Sequence, residues 1–335
     1  MGRRVSKIKV TDFEKFEQAE LPYPYPYQQT AWVGILFWNI KNKEQHNIWF
    51  IRMPLDERGF INVASRDEFL DMVLSRIGER IAAKNSDENE LTHALKDNPY
   101  VFKPTEENMA AFHSKSKQML GLSPSAYLTD LITYISTDDA NVLNNWQHLG
   151  IQGFTDLAVR QDKPEISKII TRALDKLPEK PFCAICNALE NESCSTALMT
   201  KISDLVDGII QANNDNDEAI NRVNSCIRAF GSYTGSLKHN VVNKILQSNF
   251  GTIPSVLIMI AAKCWEALDD EALLKLYLEK LSLNPSGDTL FNALIADQMF
   301  LPGRRDKILQ IFRNPDRSES LSDSVGSFFQ QMNSI

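Results

Sequence analysis

The sequence predicts a mainly α-helical protein: a small N-terminal α+β unit, an antiparallel hairpin or sheet with a covering helix, followed by an α-helical, HEAT-like array of helix pairs. Three observations carry this. Strand-forming composition is confined to residues 31–63, every strong apolar pattern after residue 104 has helical period, and helix pairs recur at a nearly constant interval. The chain therefore divides into residues 1–104, with antiparallel strands, and 105–335, an all-helical array ending in a tail helix.

Taken in order, Pro22-Tyr23-Pro24-Tyr25-Pro26-Tyr27 is extended, because alternating prolines exclude a helix. Residues 31–40 and 48–53 are rich in aromatic and branched side chains and read as two antiparallel strands, with 41–47 as their polar connector. Residues 54–59 form a turn, and 60–63 make a third short strand. A hairpin alone is only marginally stable. Its cover is a helix opened by a Ser65/Glu68 capping box and carrying Phe69, Val73, Leu74, Ile77 and Ile81. Residues 85–90 read as a loop.

Beyond residue 104, residues 106–120 are one helix, Ser123-Pro124 starts the next, and 139–149 form another. Four apolar stripes follow: Ile166 to Leu177, Ile202 to Ile210, Leu237 to Leu246 and Leu273 to Leu281. Shorter, more uniformly apolar helices lie between them, starting near Pro181, Glu218, Pro254 and Thr289, at intervals of 37, 36 and 35 residues. That interval is the mark of stacked α-hairpins. A non-repetitive bundle is the alternative, since ordinary helices and loops also recur roughly every 30 to 40 residues. Leu321, Val325, Phe328 and Phe329 mark the tail helix.

The 335 residues hold 36 basic and 43 acidic side chains, 43% hydrophobic and 24% charged. This excludes a disordered or collagen-like chain and disfavours a general phosphate-backbone binder, which needs a basic footprint. The acidity is uneven: residues 1–130 hold 17 basic and 18 acidic groups, and 131–335 hold 19 and 25. A partner of the helical part is thus expected to be neutral or basic. The basic start is followed by Asp12, Glu14 and Glu17 rather than an apolar stretch, and no apolar run approaches a membrane span. Five cysteines in helix-like sequence suit a reducing compartment. A cytoplasmic location is expected.

No catalytic string occurs. Cys183-Ala184-Ile185-Cys186 lacks the four ligands of a structural zinc site and the preceding strand of a redox motif, so packing in a helix is the simpler reading. Residues 213–218 alternate oxygen side chains like half an EF-hand loop, but the required Gly and Glu are missing; Asp217 reads as a helix cap. No cofactor or metal is expected. Two surfaces stand out for recognition. One is aromatic, with Tyr23, Tyr25, Tyr27 and Trp32, which alternatively form core between sheet and helix. The other is a basic end patch of Arg304, Arg305 and Lys307, alternatively a solvated helix face.

The strings Gly2-Arg3-Arg4-Val5, Pro22-Tyr23-Pro24, residues 31–39 and residues 48–56 resemble an uncharacterised bacterial family, domain of unknown function 3549. The resemblance implies a bacterial cytoplasmic protein over nearly the whole chain and assigns no activity or functional residue. Relatives are expected to carry further residues ahead of the Gly-Arg-Arg stretch; if so, this chain lacks a first strand, which would leave the edge of its sheet open. The expected function is a non-enzymatic protein-interaction or scaffold module that uses a helical-repeat surface, with another protein as partner and no membrane. The alternatives are an enzyme with its site at the sheet–helix junction around Asp56, Glu57 and Arg58, and RNA or DNA binding through a local basic patch.

Overall fold

The computed structural model describes residues 4–82 and 98–332. They fall into two compact units. One comprises Ser6–Met109 with Phe300–Pro302; the other comprises Arg4 and Val5 with residues 110–299 and 303–332.

In the strand-bearing unit, α1 (Val10–Glu17) precedes β1 (Thr30–Asn39) and β2 (Asn42–Pro54), which pair antiparallel as a two-stranded sheet. The strands are longer and their connection shorter than the composition implied. Ile40 and Lys41 alone join them, because the polar residues from Asn42 to Asn47 continue as strand with Asn47 opposite Phe37. The pairing Ala31 with Met53, Val33 with Ile51 and Ile35 with Trp49 puts one apolar face inward. That face packs with Phe16, Tyr23, Leu55, Ile61, Phe69 and Val73. The segment 60–63 contributes only a single bridge, Leu55 to Ile61. Helix α2 (Val63–Ala82) begins two residues ahead of the expected capping box, because the side chain of Asn62 accepts from Ser65 N at 3.0 Å. Leu74, expected inward, is 64% exposed. The loop expected at 85–90 lies outside the described residues.

The helical unit holds most of α3 (Glu106–Leu120) and then α4 (Tyr127–Ser136), α5 (Ala140–Leu143), α6 (Ile151–Ala158) and α7 (Pro164–Ala173). Two of these differ from expectation. The Ser123-Pro124 start is displaced to Tyr127 because Ser125 donates through N and Oγ to the Asp156 carboxylate, at 2.8 and 2.6 Å. The helix expected over 139–149 is a single turn, and α6 was not foreseen. Helices α8 (Glu179–Leu189), α9 (Thr196–Gln211), α10 (Asp217–Ala229), α11 (Leu237–Gln247), α12 (Pro254–Lys263), a 3-10 turn (Trp265–Asp269), α13 (Glu271–Ser282), α14 (Gly287–Met299), α15 (Arg304–Phe312) and α16 (Glu319–Met332) complete the unit.

Packing alternates along the chain. Helices α6, α8, α10, α12 and α14 form one row of neighbours, and α7, α9, α11, α13 and α16 form the other. The four stripes read from the sequence line the space between the rows. Ile170, Leu174, Ile202, Val206, Val241, Ile245, Leu274 and Leu278 are all essentially inaccessible and belong to one continuous core. Side-chain hydrogen bonds also join neighbours within a row. Lys244 Nζ reaches Asp207 37 residues away, and Ser320 Oγ reaches Ser282 O 38 away.

Candidate functional site

A helix leaves its last carbonyls without intrahelical donors, and the partial negative charge there favours cations. In the α6–α14 row these ends lie side by side and are bridged by buried polar side chains. Glu190, directly after α8, is 1% exposed. It accepts from Arg228 Nε at 2.5 Å and Lys263 Nζ at 3.2 Å, groups near the ends of α10 and α12. Its own carbonyl takes Ser232 Oγ at 2.7 Å. Gln298 on α14 donates to Ala261 O at 3.1 Å, and Lys238 on α11 donates to Gly231 O at 2.8 Å. Arg160, after α6, donates to Asp156 O at 2.9 Å.

On this row sits an extended piece of the chain's own N-terminal region. The Arg4 guanidinium pairs with both oxygens of Glu266, Nη1 at 3.1 Å from Oε2 and Nη2 on Oε1. Nη1 also donates to Lys263 O at 3.3 Å, and the guanidinium carbon stands 4.3 Å from the Trp265 ring centroid. Val5 N donates to Asn191 Oδ1 at 2.7 Å. A carboxylate fork, an aromatic face and a helix-end carbonyl together form a complete receptor for a planar cation. Burial pushes the Glu266 carboxyl up, but the hydrogen bonds and charge of Arg4, with the charge of Lys238, outweigh it and hold the group below its ordinary range. Glu266 therefore stays ionised at neutral pH.

The receptor depends on the 3-10 turn that carries Trp265 and Glu266. Arg304, only 2% exposed, holds that turn by donating from Nη2 to Trp265 O and to Asp269 Oδ1, both at 2.8 Å. Lys307 Nζ adds a bond to Asp269 O at 2.9 Å. Of the expected basic end patch, then, Arg305 is exposed, Lys307 is half-buried on its neighbour, and Arg304 is interior. A patch requiring Arg304 at the surface is corrected: its side chain is buried, and its charge is taken up by the Trp265 carbonyl that opens the 3-10 turn and by the Asp269 carboxylate that closes it.

The aromatic surface is also largely interior. Tyr23 is buried against Phe16, and its hydroxyl donates to Trp32 O at 2.7 Å. Burial pushes that hydroxyl's pKa up. The Tyr25 ring meets Tyr23 edge-on, Trp32 Nε1 donates to Tyr27 O at 3.2 Å, and the Trp32 ring abuts Phe102. Tyr23 cannot serve as a contact for a partner, while Tyr25, Tyr27 and Trp32 are half-buried. Asp56, Glu57 and Arg58 are exposed, and Asp56 Oδ1 is occupied by Arg58 N and Phe60 N, each at 2.9 Å. The polar cluster named for an enzyme is an Asx turn.

The cysteines are packing groups. Cys186 hydrogen-bonds Cys226, and with burial this raises its pKa well above the ordinary thiol value; burial pushes Cys194 and Cys264 up to about 12. Among the described residues no group of three or more His, Cys, Asp or Glu is placed to hold a metal. In the 213–218 loop, Asn216 rather than Asp217 caps α10, accepting from Ala219 N at 2.9 Å. Among the described residues no helix is long and apolar enough to cross a membrane.

Sequence reasoning missed Glu190, Arg228, Lys263, Trp265, Glu266 and the role of Arg4. One signal was available: Glu190, Arg228 and Lys263 recur 38 and 35 residues apart, each at the end of a short apolar helix. The fitting of Arg4 to Glu266, 262 residues away, leaves no mark in local sequence. No curated protein and no solved structure matches the chain. The profile of one family, described as a protein of unknown function (DUF3549), matches residues 1–329. With almost its full length matched, the chain belongs to that family.

Proposed function

We propose that the chain is a non-enzymatic protein-interaction module, and that its helix pairs act as a degenerate repeat array presenting a row of helix ends to an extended segment of another protein. The observation that carries this reading is the seating of Arg4 and Val5 on that row through a carboxylate, an indole ring, a main-chain carbonyl and an amide side chain. Such elements select an arginine and an adjoining extended backbone, and they bring no nucleophile or acid–base pair with them. The acidic balance of residues 131–335 favours a basic partner segment. Nucleic acid is disfavoured because Arg228 and Lys263 face Glu190, and Lys238 lies 3.5 Å from Glu266.

In-cell crosslinking followed by mass spectrometry tests the module. The expected result is a stoichiometric partner whose crosslinks cluster around residues 190–193 and 263–269, and which is lost from Glu266→Gln protein that circular dichroism shows to be folded at the assay temperature. Crosslinks scattered over the surface, or a partner indifferent to that substitution, would overturn the reading.

A further inference from the structure

Resting on that reading, we propose that the Trp265–Glu266 notch is an arginine-peptide binding site and that the segment around Arg4 is its exchangeable resident, an intramolecular competitor that a partner's extended, arginine-bearing segment displaces. The site is built rather than incidental. Glu266 meets the guanidinium fork with both oxygens, Trp265 covers its face at 4.3 Å, and Lys263 O closes a third side at 3.3 Å. The wall behind it is fixed by Arg304, which spends its buried charge on holding the 3-10 turn. A notch this well supported reads the fork of arginine and discriminates against the rounder ammonium of lysine.

Among the described residues, Val5 next to Arg4 makes one backbone bond to Asn191 Oδ1, and from Ser6 onward the chain belongs to the strand-bearing unit. Glu266 keeps 35% of its side chain exposed even with Arg4 in place, so an incoming guanidinium has access to the carboxylate before the resident leaves. The segment and the notch are parts of one chain, so the resident competes at a high effective concentration. It sets a threshold that a partner must exceed, by affinity or by several contacts made at once.

The test uses the purified full-length chain and a fluorescein-labelled peptide, Gly-Arg-Arg-Val-Ser, copying residues 2–6, read by fluorescence anisotropy. Peptide should bind Arg4→Ala protein at least about tenfold more tightly than wild type, corresponding to a notch open in no more than about one wild-type molecule in ten. Binding should be lost from the Arg4→Ala/Glu266→Gln double variant and for a peptide with lysine at its third position. Should Arg4→Ala protein fold poorly, Arg4→Lys, which keeps the charge and the chain but not the fork, replaces it. Equal binding to wild type and the Arg4 variant would overturn the proposal, as would binding that survives Glu266→Gln. The assay contains no cellular partner, so equal peptide binding to wild type and the Arg4 variant removes competition by the resident and leaves a crosslinked, Glu266-dependent partner intact. A lost partner with intact peptide binding would instead remove the module reading alone.

Discussion

Replacing Glu190 with glutamine tests whether the row of helix ends is held electrostatically. Glu190 is 1% exposed and faces the side chains of Arg228 and Lys263, which are 14% and 6% exposed. At 2.5 and 3.2 Å these contacts have a gross Coulomb energy of roughly 5–7 kcal/mol each at an effective dielectric near 20. Most of that offsets the cost of removing three charges from water. Deleting one member alone therefore leaves the cations desolvated without the carboxylate, and costs about 3–5 kcal/mol. Glutamine retains the shape and one acceptor, which places Glu190→Gln at the lower end. For a unit of this size each kcal/mol is worth roughly 2–4 °C, so the melting temperature should fall by about 6–12 °C. Thermal and urea denaturation followed by far-ultraviolet circular dichroism at neutral pH would measure it. A Glu190→Gln/Lys263→Met double variant should recover part of the loss, because it also removes one of the buried cations that faced the carboxylate. A loss below about 1 kcal/mol, as for an exposed pair, or strict additivity in the double variant, would refute the reasoning.

Three further outcomes follow from the same coordinates. Gly251→Ala would drive a Cβ to 2.1 Å from Leu246 O in a buried turn and should cost about 1–3 kcal/mol, whereas Gly208→Ala, with nothing within 4 Å at an exposed position of α9, should stabilise by about 0.5–1 kcal/mol; equal effects in chemical denaturation would contradict this. An aromatic disulfide reagent at neutral pH should label native protein slowly, and first at half-buried Cys183, because burial raises the thiol pKa of Cys183, Cys194 and Cys264; rapid labelling of several thiols would count against the packing assignment. The Arg4–Glu266 pair contributes stability above the ordinary carboxyl value of 4.5 and loses it as pH falls through the lower folded value. The stability gap between wild type and Glu266→Gln should thus be flat across neutral pH and close only in acid; a gap that closes near neutrality would show that another group titrates.

The sequence by itself determined the division into a strand-bearing front and a helical remainder, and it placed the four stripes between the two rows. Those features are set by period: alternation over 31–37 and three-to-four spacing at Ile166, Ile170 and Leu174 each leave one face apolar wherever the chain ends up. Boundaries were less legible. The polar residues 42–47 became strand because a partner strand supplied their hydrogen bonds, and Ser125 stayed out of a helix because Asp156 captured it. Tertiary structure alone decided the candidate site. Arg304 and Arg305 are adjacent and chemically identical, yet one is interior and the other exposed, since only Arg304 meets Trp265 O and Asp269. Arg4 and Glu266 carry opposite charges that local patterning cannot join across 262 residues. Packing of alternate helices against one another brings several helix ends into one row, and the carbonyls and carboxylates there decide which charges are buried and which arginine is held.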